Sequence, residues 1–232
     1  MKTLKYLIEF LFIKLFFLIF KIIGYKKASN LGASIGSIIG PLFRSKNLVK
    51  KNIQYAFPNL TDDEMQKFIK KMWTNYGRIF SEYMYIQKFR RKELEKYLNI
   101  NGIKTLEKIK KDGKPVVFIS GHFNNFELMA MIIEREGIDL SAVYRPLNNK
   151  FLNLIMEHLR KKYICKNQIK KGFKGVREAL TFFKKGKSLA IMIDQRVSEG
   201  IDSKFFGINA YTTTIPAQFV KKFGCIIQPV YI

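Results

Sequence analysis

VVFISGHFNNFELMA, residues 116–130, decides how this chain is read. Its first half is a β-branched, apolar run that stops at Ser120-Gly121, the pattern of a buried strand leaving a sheet. Its second half spaces its apolar residues as a helix does. His122 therefore falls at a strand-to-helix turn, and open α/β sheets gather their chemistry at the carboxyl ends of strands. Glu127 follows five positions later. Five positions along a regular helix turn about 500°, so the two side chains share no helix face. They converge only if His122 precedes the helix and Glu127 lies in its first turns.

Outward from this stretch the pattern alternates. Strands are expected near 97–101, 115–120, 139–144, 162–165, 188–193 and 225–231, with helices near 103–111, 124–135, 149–161, 173–184 and 215–223. Residues 96–232 thus read as one α/β domain, a mixed, mostly parallel sheet flanked by helices. The chain stops within the apolar CIIQPVYI, which leaves two readings: a strand near a sheet edge, or a domain that lacks its C-terminal end.

Residues 1–23, MKTLKYLIEFLFIKLFFLIFKII, read as a membrane anchor. They reach the length of about 20 residues that a span needs, although Glu9 and Lys14 would each cost about 2.5–3.5 kcal/mol at a helix centre. No small-residue cleavage site follows, so a retained anchor fits better than a signal peptide. A helix lying in the interface fits as well. Lys26, Lys27, Arg44, Lys46, Lys50 and Lys51 come next and suit a cytoplasmic side facing anionic lipid. Residues 24–95 form a helical, membrane-proximal segment. In it LGASIGSIIGPLF (31–43) is apolar with Gly and Ser at near-helical spacing and ends at Pro41. Thr61 and Glu64 have the form of a capping box, opening a helix through Met65, Phe68, Met72, Trp73 and Tyr76 into the eighties.

Composition narrows the partners. Lys and Arg number 42 against 18 acids, a formal charge of +24, which calls for an anionic partner. An apolar share of 47% excludes a disordered chain. Two cysteines without paired spacing argue against a disulfide framework or a zinc site, and two histidines exclude a three-histidine metal centre. Nucleic acid is disfavoured by the apolar N-terminus.

His122 and Glu127 admit two readings. A histidine can take a proton from a hydroxyl while a carboxylate on its other nitrogen sets the tautomer. With no protein nucleophile beside it, such a dyad suits direct transfer to a substrate hydroxyl. Alternatively, His122 caps a turn and Glu127 meets the positive end of its helix. Three other features carry no chemistry: Gly32–Gly36 fits Gly-x-Ser-x-Gly but follows no strand, His158 sits inside a helix, and Cys225 reads as core.

The surrounding blocks separate the two readings. GHFNNFE (121–127) resembles the signature of the bacterial lipid A biosynthesis acyltransferases, lauroyl and myristoyl transferases within the lysophospholipid acyltransferase superfamily. KNIQYAFPNLTDDE (51–64), VYRPLNNKFLNLIMEHLR (143–160), GKSLAIMIDQRV (186–197) and SKFFGINAYTTTIPAQFVKKFGC (203–225) resemble further family blocks in the same order. Asn124 and Phe126 stand where many relatives have Gly and Trp. Glu127 favours the lipid A branch, since the glycerolipid branch more often has Asp there.

The resemblance implies a glycerol-phosphate-acyltransferase-like fold and transfer of a fatty acyl chain from acyl carrier protein to a hydroxyl of a lipid A precursor. No cofactor is implied. It makes His122 the general base and Glu127 its orienter. Arg145 would hold a phosphate or a developing oxyanion. Asp194 and Gln195 close a strand at the site, Asp194 as a buried partner of Arg145. Phe205, Phe206 and Gly207 would line an acyl channel. Family chains usually continue further, so a missing C-terminal end is expected. The implied place is the inner membrane, with the catalytic domain on the cytoplasmic face. Alternatives are a lysophospholipid or other glycolipid acceptor, or an inactive lipid-binding protein.

Overall fold

The computed structural model describes residues 2–232. Two compact units emerge, one made of Phe12–Tyr85 with Asp202–Tyr211, the other of the stretch up to Leu11 with Ile86–Ile201 and Thr212–Ile232.

The first unit is mainly helical. It takes in α1 (Lys2–Ile23) from Phe12 on, then α2 (Tyr25–Ile39), α3 (Lys46–Ala56) and α4 (Asp62–Glu82). α4 starts as its sequence dictates: the Thr61 backbone N–H donates to Glu64 Oε2 at 2.9 Å and the Glu64 N–H to Thr61 Oγ1 at 3.3 Å. The Thr61 N–H, with the Thr61 hydroxyl donating to the same Oε2 at 2.9 Å, holds the Glu64 carboxyl below its ordinary pKa. Phe17 and Phe20 of α1 pack on Phe80 of α4, with ring centroids 5.0 and 6.2 Å apart, and the Tyr85 hydroxyl donates to the Phe20 carbonyl.

α2 and α4 touch backbone to backbone. A Cβ built on Gly77 would lie 2.0 Å from the Gly32 carbonyl oxygen, and one on Gly36 would lie 2.4 Å from the Trp73 carbonyl oxygen. The small residues of 31–43 thus form a seam against α4. α3 has no counterpart among the expected helices.

Among the described residues no helix is long and apolar enough to cross a membrane. Lys2, Lys5, Glu9, Lys14 and Lys21 break up α1 too evenly for a span.

The second unit continues through α5 (Ile86–Arg90) and α6 (Ile103–Asp112) to β1 (Val117–Ser120), α7 (Glu127–Arg135), β2 (Leu140–Tyr144), α8 (Lys150–Leu159), β3 (Asn167–Lys170), α9 (Phe173–Lys184) and β4 (Ser188–Met192). A hairpin of β5 (Ile201–Phe205) and β6 (Ile208–Thr212) intervenes, most of it grouped with the helical unit, before α10 (Ile215–Phe223) and β7 (Ile227–Pro229). The sheet order is β3-β2-β4-β1-β7, every pairing parallel, with β7 at an edge. Val117, Ile169 and Leu189 are fully buried in a core with Phe183 and Phe219, whose rings meet edge to face at 5.0 Å.

Two expected strands are absent. Residues 95–97 form a 3₁₀ turn, followed by an irregular stretch to Gly102, whose left-handed backbone starts α6. Residues 160–164 prolong α8 as a π-helical turn closed by Cys165 N–H to Arg160 O at 2.9 Å, and the strand follows at 167–170. Ile164 and Cys165 are buried in that turn, so an apolar run was misread as a strand.

Glu157 joins three elements: its Oε1 accepts from the Tyr144 hydroxyl at 2.5 Å and Asn153 Nδ2 at 2.8 Å, and lies 3.2 Å from Lys170 Nζ. Asn149 caps α8 through Oδ1 and donates from Nδ2 to the Tyr6 carbonyl at 2.8 Å, so it ties the first turns of α1 to the same region.

Two outcomes are expected. Gly77→Ala gains about 1 kcal/mol of helix propensity but overpacks a backbone contact at a cost of roughly 1–3 kcal/mol. The melting temperature should therefore fall, and a rise would rule out the close seam. The Tyr144 hydroxyl above all, with Asn153 and Lys170, lowers the Glu157 pKa from 4.5 to about 2. A depressed carboxyl contributes stability above its unfolded pKa and loses it as pH falls. Denaturant melts between pH 4.5 and 2 should thus show a steeper loss for the parent than for Glu157→Gln.

Candidate active site

The parallel register decides what meets at the carboxyl edge. Ser120, the last residue of β1, pairs with Met192, the last of β4. Two residues beyond each lie His122 and Asp194, side by side although 72 positions apart. Asp194 Oδ2 accepts the His122 backbone N–H at 2.7 Å, and Oδ1 lies 2.8 Å from Nδ1 of the ring. A carboxylate there favours the tautomer with its proton on Nδ1, which leaves Nε2 with a free lone pair. Phe126 holds the ring edge-on, with centroids 4.8 Å apart. The Gln195 amide nitrogen stands 3.5 Å from Nε2.

The expected pairings are therefore corrected. Glu127 does not orient His122. It is the first residue of α7, and its Oε1 accepts from Arg160 Nε at 2.8 Å and from Nη2 of the same guanidinium. The side chains of this pair are only 10% and 12% exposed. Nor is Asp194 the partner of Arg145: the Arg145 side chain is exposed and makes no hydrogen bond or ion pair among the described residues. The reason lies in chain order. The eye reads His122 and Glu127 as a unit because they are close in sequence, whereas adjacent parallel strands bring in residues from far along the chain.

A cavity of about 470 Å³ opens beside this pair. Its buried part is mainly apolar, with Phe118, Met129, Ile133, Ala179, Leu189 and Ile191 beside the Glu127–Arg160 pair, and its more open part carries His122, Arg145 and Gln195. Phe205 and Phe206 belong to the other unit. They lie at the tip of the β5–β6 hairpin, 67% and 58% exposed, where Phe206 and Gly207 both take positive φ in a two-residue turn.

Three charged lining residues carried no site expectation: Arg160, Lys170 and Lys171. Arg160 reaches the cavity from the π-helical turn, a feature that apolar periodicity does not announce. Lys170 and Lys171 end β3 and could have been found only with that strand placed at 167–170.

The arrangement can do one thing well. An oriented imidazole with a free Nε2, at the rim of an apolar cavity, can accept a proton from a hydroxyl while an apolar chain lies beside it.

Comparison with known proteins agrees. The sequence profile described as bacterial lipid A biosynthesis acyltransferase matches residues 1–232. A "Lipid A biosynthesis acyltransferase" of Haemophilus influenzae is 20% identical over 221 residues, 93% of this chain and 68% of that protein. A "Lipid A biosynthesis palmitoleoyltransferase" of Escherichia coli is 24% identical over 189 residues, 79% of this chain and 60% of its own length. A "Lipid A biosynthesis acyltransferase" of Shigella flexneri aligns with the same identity and coverage. The chain thus spans about three fifths to two thirds of these relatives. Matched along its whole length, it belongs to the bacterial lipid A biosynthesis acyltransferase family.

Proposed function

We infer that the chain transfers a fatty acyl group from the thioester of an acyl carrier protein to a hydroxyl of a lipid A precursor. The observation that carries this is the His122–Asp194 pair at the rim of an apolar cavity, in a chain of this family.

In the reaction, His122 Nε2 takes the proton of the acceptor hydroxyl as its oxygen attacks the thioester carbonyl. Asp194 stabilises the imidazolium that forms and keeps the ring in place. Collapse of the tetrahedral intermediate breaks the carbon–sulfur bond, and the imidazolium returns its proton to the leaving thiolate. The Gln195 amide, beside Nε2, is placed to donate to the oxyanion. Glu127 acts through Arg160, as a buried ion pair that holds the start of α7 against the π-helical turn.

The cavity falls within the roughly 300–1,000 Å³ usual for small-molecule sites, and its apolar wall suits an acyl chain. The formal charge of +24 suits both an acidic carrier and a phosphorylated lipid. α1 serves as an attachment to anionic membrane lipid on the cytoplasmic face of the inner membrane. Leu4, Leu11, Phe12, Leu15, Leu18 and Ile22 are exposed along it, interspersed with lysines, as on a helix lying in the interface.

The test is transfer of labelled acyl chain from acyl carrier protein to a phosphorylated lipid A precursor in detergent. His122→Ala should reduce the rate by about 10²–10⁴-fold, and transfer equal to the parent's would refute the base. Asp194→Asn should lower kcat with the melting temperature unchanged. Glu127→Gln leaves the Arg160 charge buried without its counter-ion, so melting temperature and activity should fall together. A loss of activity with the melting temperature unchanged would assign Glu127 to the imidazole.

A further inference from the structure

The segment between β2 and α8 is part of the cavity wall, for Arg145, Pro146, Leu147 and Asn148 all line it. It is held at three points. At its start the Tyr144 hydroxyl donates to Glu157, and in its middle the Leu147 N–H donates to Asn153 Oδ1 at 2.8 Å. Asn153 donates in turn to the same Glu157 oxygen, so both bonds lead to one carboxylate of α8. At its end stands Asn149, 7% exposed, whose two polar atoms serve different partners. Oδ1 accepts the N–H groups of Phe151 and Leu152 and so caps α8. Nδ2 donates to the Tyr6 carbonyl of α1 at 2.8 Å and to Glu9 Oε2 at 3.2 Å. The rings of Phe10 and Phe151 meet beside it, with centroids 5.9 Å apart.

The first turns of α1 therefore have an inner face, Tyr6, Glu9 and Phe10, against the start of α8. At about 100° per residue, Leu4, Leu7, Ile8 and Leu11 fall on the opposite side of the helix, and all four are exposed. Lys2 and Lys5 are exposed on the same turns, as are Lys150 and Leu147 on the segment and its helix.

We propose that these turns of α1 and the β2–α8 segment form a lipid-facing entrance to the cavity, joined by Asn149 as a positioning residue. The partner is an anionic bilayer surface. The apolar stripe enters the lipid while Lys2, Lys5 and Lys150 meet its headgroups. A helix with its side chains is about 10–12 Å across, so the segment stands one helix width from that surface. The acceptor, itself a lipid, then reaches the cavity rim without leaving the membrane. The entrance rests on α1 as a lipid attachment, and its use by the acceptor rests on the acyl-transfer reading.

Two substitutions separate the link from the cap. Asn149→Asp keeps an acceptor for the start of α8 but loses the donor to Tyr6 and sets a second carboxylate beside Glu9. Asn149→Ser keeps a capping oxygen, adds no charge and is too short to reach Tyr6. Thermal melts check that each variant is folded. The first measurement is amide hydrogen exchange across residues 147–149, with and without vesicles of phosphatidylglycerol and phosphatidylethanolamine. Vesicles should slow exchange in the parent about 10-fold and leave it unchanged in both variants, although all three proteins sediment with the vesicles. Adding Glu9→Gln to Asn149→Asp gives the new carboxylate an amide donor and should restore the slowing. Equal slowing in the parent and both variants, or none in a vesicle-bound parent, would overturn the link. A parent that does not bind the vesicles would overturn the entrance and the attachment of α1 together.

Turnover supplies the second readout. With the acceptor carried in the same vesicles, both variants should raise its KM about 10-fold and leave kcat and the KM for the donor unchanged. A fall in kcat with both KM values unchanged, or an equal rise in both, would overturn the entrance. Slowed exchange on vesicles in a chain that transfers no acyl group would support the link and sink the transferase reading alone.

Discussion

The parallel pairing of β1 with β4 is the constraint on which the site depends. Once Ser120 stands opposite Met192, the two chains leave the sheet side by side, and the backbone N–H of His122 and its ring nitrogen meet one carboxylate. Both contacts use the same Asp194, so the imidazole is held by its own main chain as well as by its side chain. A shift of one residue in that register would turn the side chains of one strand to the opposite face and separate the pair. The apolar core of Val117, Leu189 and Ile191 beneath the edge resists such a shift.

The same edge orders the rest of the site. From β3 to β1 the strand ends present Lys171, Arg145, Asp194 and His122 in turn, so cationic and proton-transferring groups occupy different parts of one row. The two carboxylates have separate tasks. Asp194 is half-exposed beside the imidazole, where it can follow a change of charge, whereas Glu127 is buried against a permanent cation. Keeping them apart avoids a competition in which one acid would have to satisfy both an imidazole and a guanidinium.

Much of this was legible in the chain. The break at Ser120-Gly121 marks the end of β1, Thr61 and Glu64 mark the start of α4, and the later alternation of apolar runs yields the parallel sheet. These signals are local, carried by periodicity and capping. What escaped was non-local or irregular. The partner of His122 lies 72 residues away, and only strand order brings it near. The hairpin of β5 and β6 turns on Phe206 and Gly207 rather than on an Asn-Gly pair, so no hairpin was expected there, and the channel role of its aromatic residues rested on the family resemblance alone. The glycines of α2 were noticed for their spacing, but their meaning, a backbone contact with Gly77, depends on the opposite helix.

The π-helical turn from Arg160 to Ile164 limits how this region can vary. Its wider coil changes the direction in which the following residues face, which carries Arg160 to Glu127 and buries Ile164 and Cys165 in the same short stretch. Deleting one residue there would restore a regular α-helix and rotate whatever follows by about 100°. Either the cation or the apolar pair would then face the wrong way. Homologous sequences should accordingly tolerate length changes in the loops around this turn more readily than a single-residue deletion within it.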